Sequence, residues 1–124
     1  MLGNQNIMAF VATADAARAR PFYEGMLGLT VKRTDPYAVT FDANGIELRM
    51  SIVRDFKPAP YSVLSWVVTD ITRFLAALVA KGVVFEKYGF PEQDESGIWT
   101  APDGTRVAWF KDPDGNVLSL TQFN

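Results

Sequence analysis

The chain has 124 residues, 48% of them hydrophobic, and a formal net charge of -2 at pH 7, which describes one ordered domain with enough apolar surface to fold without disulfides. It contains no cysteine and no histidine, so thiolate clusters, imidazole metal ligands and a Ser-His-Asp triad are excluded, and acid-base work falls to Asp, Glu, Lys or Tyr. The 12 basic residues are scattered and no apolar run approaches ~18 residues, so neither nucleic acid nor a membrane is expected as a partner, and a cytoplasmic location is expected.

The first strand is expected over Ile7 to Thr13, where Met8, Phe10 and Ala12 alternate with Ile7, Ala9 and Val11. Asp15 offers a helix N-cap. The helix runs towards Leu27 and Gly28 ends it, but Pro21 lies inside, which predicts a kink or a late start. Three strands follow, Leu29 to Arg33, Tyr37 to Asp42 and Ile46 to Val53, the last two joined by the hairpin signal "ANG". The proline-bearing stretch "RDFKPAPY" reads as a linker.

A strand from Val63 to Val68 opens the second half, and Asp70 caps a helix whose apolar residues Ile71, Phe74, Leu75, Leu78 and Val79 keep one face before Gly82. Strands are then expected at Val83 to Tyr88, near Trp99, at Arg106 to Lys111 and at Val117 to Gln122. The two halves share one order of elements. "FVATAD" at 10 to 15 aligns with "SWVVTD" at 65 to 70, "LGLTV" with "KGVVF", and "ANGIEL" with "PDGNVL". The second half is longer by the stretch around "PEQDESGIWTAPDGT".

With "FYEGMLGL" early and "KDPDGNVLSL" late, this repeat resembles the vicinal oxygen chelate superfamily of glyoxalase I, bleomycin resistance proteins and extradiol dioxygenases. The resemblance implies an α+β fold of two βαβββ modules, about 5–53 and 62–123 around a linker at about 54–61, in a single domain spanning 1–124. Their curled mixed sheets would form a cleft with the helices outside, and a homodimer is implied. Family enzymes hold a divalent metal with one residue on the first and last strand of each module. Those positions fall here on Met8, Val63, Arg49 and Ser119, respectively a soft thioether, a side chain with no donor, a cation and a weak hydroxyl ligand. No metal and no cofactor are expected.

Strand parity points Met8, Phe10, Arg49, Ser51, Ser65, Ser119 and Thr121 into the expected cleft. Trp109 joins them if the "DPDGN" turn is a three-residue loop, and Ala108 takes its place if the loop has two. Arg49 is the candidate anion contact, with an ion pair to Glu47 or another carboxylate, or surface exposure, as the alternative. These residues suit a small organic ligand, aromatic or acidic, held by a metal-free binding protein. The alternative is a lyase, isomerase or dioxygenase, with ligands drawn from Glu47 with Glu86 or Asp42, or with Glu47 as a metal-independent base. A scaffold with a collapsed cleft and no ligand is the third.

Overall fold

The structure is a computed structural model that describes all 124 residues. The chain divides into two compact units, Met1–Lys57 and Pro58–Asn124, and the boundary lies within the proline-bearing stretch. Each unit contains a four-stranded mixed sheet and one main helix, so the chain is an α+β protein built from two repeated modules.

In the first unit, β1 (Met8–Thr13) leads into α1 (Ala16–Pro21), then β2 (Thr30–Asp35), β3 (Ala38–Ala43) and β4 (Ile46–Ile52). The Asp15 carboxylate accepts the Arg18 backbone N–H and so starts α1. Pro21 does not delay or simply kink the helix. The α-helical pattern ends there and passes into one wide π turn over Phe22–Met26, which the missing proline N–H permits. That turn directs Tyr23, fully buried, onto Phe41, with ring centroids 5.6 Å apart. The sheet order is β1-β4-β3-β2, with β1 parallel to β4 and the other pairs antiparallel. Asn44 and Gly45, both at positive φ, form the two-residue turn that the "ANG" signal predicts between β3 and β4.

The second unit repeats the plan with β5 (Ser62–Val67), α2 (Ile71–Ala80), β6 (Trp99–Thr100), β7 (Arg106–Lys111) and β8 (Val117–Gln122), in sheet order β5-β8-β7-β6. Asp70 caps α2 through the Arg73 N–H, as Asp15 caps α1. Leu64, Trp66, Ala108, Phe110, Leu118 and Leu120 form the sheet face under α2, with Trp66 stacked on Phe110 at 6.4 Å. The buried stripe of α2 is narrower than its pattern implies. Ile71 and Leu75 are buried, whereas Phe74 and Val79 are about half exposed.

The strand expected over Val83 to Tyr88 is not formed. Only a single bridge, Phe85 to Phe110, and a bond from the Glu86 N–H to the Trp109 carbonyl remain. The place beside β7 is shared between this segment and the two-residue β6, so neither has room for a full ladder. The alternation of Val83 and Phe85, buried, with Val84, exposed, is real. It records packing against the core rather than strand pairing.

Candidate functional site

The helix-free face of the first sheet carries Met8, Phe10, Arg49 and Ser51, because Phe10 lies beside Arg49 and Met8 beside Glu47 in the parallel β1–β4 pair. Arg49 does not pair with Glu47. Its Nη1 lies 3.3 Å from Asp35 Oδ2 on β2. Glu47 instead accepts from Lys32 Nζ at 2.9 Å and from both terminal nitrogens of Arg33. The β-bulge between Val31 and Arg33 makes this possible, since consecutive residues of a regular strand would point to opposite faces. Beside these charges, the Thr40 hydroxyl is buried and has no hydrogen-bond partner.

Hydrogen bonds from Arg33 and then Lys32 hold the Glu47 carboxyl down at about 2. Such a carboxylate is a poor base at neutral pH, which removes the chemical support for Glu47 as an enolising base. The shift also sets the sign of an acid response. A carboxylate with a folded pKa below its unfolded value contributes stability that is complete above the unfolded value and is lost as pH falls through the folded one. The Glu47→Gln protein is therefore expected to be less stable than wild type at pH 7 and to lose less stability between about pH 4.5 and 2. Parallel melting-temperature profiles for the two proteins over that window would contradict this.

On the helix-free face of the second sheet, Ser65 lies beside Ser119, which lies beside Trp109. Pro113, Asp114 and Gly115 form the loop, closed by the Asp112 N–H to the Asn116 carbonyl at 3.0 Å, and this register turns Trp109 rather than Ala108 to that face. Ser119 is only 2% exposed. Its hydroxyl shares a 2.8 Å bond with Ser62, its carbonyl accepts from the Ser65 hydroxyl at 3.2 Å, and Ser65 in turn bonds Thr121 at 2.7 Å. Where the family places a carboxylate, this chain has a ladder of hydroxyls that satisfy one another.

The four family ligand positions do not fit a divalent ion. Val63 has no donor, Arg49 is a cation in an ion pair, the Ser119 hydroxyl is committed to Ser62, and Met8 is a lone thioether. No group of three or more Asp and Glu side chains suited to a metal is present. Asp42 does lie beside Glu47 in the β3–β4 pair, but Asp42 accepts the Gly45 backbone N–H and Glu47 is taken up by Lys32 and Arg33.

The second unit does hold a cavity, of about 290 Å³, lined by Phe90, Pro91, Glu92, Trp99 and Trp109. Of these, only Trp109 is among the site residues expected from strand parity. The Trp99 and Trp109 rings are 6.1 Å apart, and Phe90 stands nearly perpendicular to Trp109 at 6.2 Å. Tyr88 braces both Phe90 and Trp109, each at 5.6 Å. Burial, with the nearby Glu86 charge, pushes its phenol upward, so the brace is neutral at physiological pH. Gln93 fixes the wall: its amide nitrogen donates to the Glu86 and Gly97 carbonyls, both at 2.9 Å, and its oxygen accepts the Tyr88 N–H at 2.8 Å. The sequence signal for this wall is the stretch by which the second repeat exceeds the first, which follows directly on Phe90 and contains Trp99.

Two repeated modules of this topology define the class of paired βαβββ proteins. The chain matches the Glyoxalase/Bleomycin resistance protein/Dioxygenase superfamily over residues 7–120 and belongs to it. It is similar in fold to the glyoxalase family protein from Enterococcus faecalis, with TM-score 0.77 and 20% identity over 98% of this chain and 99% of that one. The glyoxalase/bleomycin resistance protein/dioxygenase from Alicyclobacillus acidocaldarius gives TM-score 0.73 and 18% identity over 97% and 92% of the two chains. Lactoylglutathione lyase from Agrobacterium tumefaciens gives 0.72 and 16% over 95% and 93%. No functionally curated protein matches the chain in sequence.

Proposed function

We propose that the protein is a metal-free small-molecule binder of this superfamily that sequesters a flat organic compound without transforming it. The observation that carries this reading is the aromatic cavity at Trp99 and Trp109, beside which Gln93 ties the neighbouring backbone together. Cavities of about 300 Å³ and more with few polar groups are ordinary ligand sites, and stacking adds about 0.5–1.5 kcal/mol per ring pair beyond area burial. The hydroxyl ladder supports the reading as well. It begins beside Trp109, and Thr121 at its end is half-buried, so it offers a polar edge next to an apolar surface.

The lyase, isomerase or dioxygenase reading has less support, because the donors that such chemistry requires are replaced at all four family positions. An acidic ligand on Arg49 has less support too, since Asp35 already compensates that charge.

The test is a thermal-shift screen of flat aromatic compounds, followed by titration of tryptophan fluorescence. A binder gains stability as RT ln(1 + [L]/Kd). Trp109→Ala is expected to weaken the best ligand by at least about tenfold, the loss of one or two stacked contacts, while the protein stays folded. Stoichiometric metal in protein purified without chelator, together with turnover of a hemithioacetal or a catechol, would overturn the proposal.

A further inference from the structure

The lining of the Trp99–Trp109 cavity specifies more than flatness. An aromatic ring is negative on its face and positive at its edge, and Phe90, Trp99 and Trp109 meet at angles of 43° and 80°, so they form walls rather than a flat stack. The only ionisable side chain in the lining is Glu92, an acid. The nearby base, Lys111, is turned to Glu86 at 3.5 Å. An anion in this cavity would meet the ring faces and a carboxylate with no compensating donor. A neutral molecule would gain area burial and, if flat, ring stacking, but nothing from the Glu92 charge. A cation gains the attraction of the ring faces turned to it and of the Glu92 charge at the exposed side of the lining.

The hydrogen-bonding character of the cavity narrows the cation further. A primary ammonium brings three N–H donors that need acceptors, and the lining is almost wholly apolar. A methylated ammonium carries its charge on an apolar surface and leaves few or no donors unpaired, which is the case in which cation–π attraction is used most fully.

We infer that the cavity walled by Phe90, Trp99 and Trp109, with Glu92 in its lining, binds the methylated ammonium group of a small organic cation. This rests on the proposal that the cavity is a ligand site, and it names the charged group that the ligand would carry.

The experiment is a fluorescence and calorimetric titration of the full chain with three probes: choline, its neutral isostere 3,3-dimethylbutan-1-ol, and the flat neutral compound 2-naphthol. Choline is expected to bind at least about fivefold more tightly than the isostere, within the range of cation–π energies. Glu92→Gln, at an exposed position, is expected to weaken choline severalfold more than it weakens 2-naphthol. Equal affinity for choline and its isostere would overturn the inference, and binding of 2-naphthol in the same experiment would leave the small-molecule reading intact. Binding of none of the three would count against both.

Discussion

Asp112→Ala is expected to lower stability by about 3 kcal/mol, the scale of losing hydrogen bonds to a buried charged group. The carboxylate accepts from the Asp114 and Asn116 backbone N–H groups, each at 2.9 Å, and from the Asn116 side-chain amide at 2.8 Å. Asp112 and Asn116 are each only 5% exposed. Alanine would therefore remove an acceptor and strand the two buried donors of Asn116, and the stranded donors account for most of the cost. For a domain of this length the change corresponds to a fall in melting temperature on the order of 10 °C. Urea unfolding with an unchanged m-value would measure it, and a loss below about 1 kcal/mol would show that the loop does not depend on this acceptor. The register of β7 against β8 follows from this loop, and with it the side of the sheet to which Trp109 points.

Phe110→Ala is expected to cost about 4 kcal/mol, in the range for emptying a buried phenylalanine site. Phe110 is fully buried, stacks on Trp66, packs on Phe85 at 5.3 Å, and takes part in the one bridge that ties the 83–88 segment to the sheet. Its neighbour Trp109 is on the other face of the same strand. The two substitutions should separate by degree: Phe110→Ala chiefly lowers the unfolding midpoint, and Trp109→Ala chiefly lowers ligand affinity, with a smaller loss of stability from its ring contacts. If Trp109→Ala proved as destabilising as Phe110→Ala, the aromatic wall would be core and not a ligand surface.

Much of this architecture was legible because it is local. Asp15 and Asp70 announce the two helices through a cap that needs only the next three residues, and "ANG" announces its turn through backbone sterics alone. Comparing the two halves exposed the repeat and the correspondence of Arg49 with Ser119. The features that were not legible depend on partners distant in sequence. Nothing in "TVKRTD" shows that a bulge will aim both Lys32 and Arg33 at Glu47, and this arrangement leaves Arg49 to Asp35. The Val83 to Tyr88 segment has strand alternation but lost its place in the ladder to β6. The cavity was missed for a related reason. Three of its residues, Phe90, Pro91 and Glu92, lie in irregular chain to which strand parity does not apply, and the neighbouring backbone is tied together by Gln93.

In both units the opening strand is bonded in parallel to the closing one, β1 to β4 and β5 to β8. This connection carries a timetable for the growing polypeptide on the ribosome. An opening strand has no permanent neighbour until its module has been translated to the end, because local hairpins cannot supply a parallel partner. The first unit can close its sheet while the second is still being made, whereas β5 must wait for the last strand to leave the exit tunnel. During that interval both edges of β5 lack a partner, since β8 is its only neighbour in the sheet.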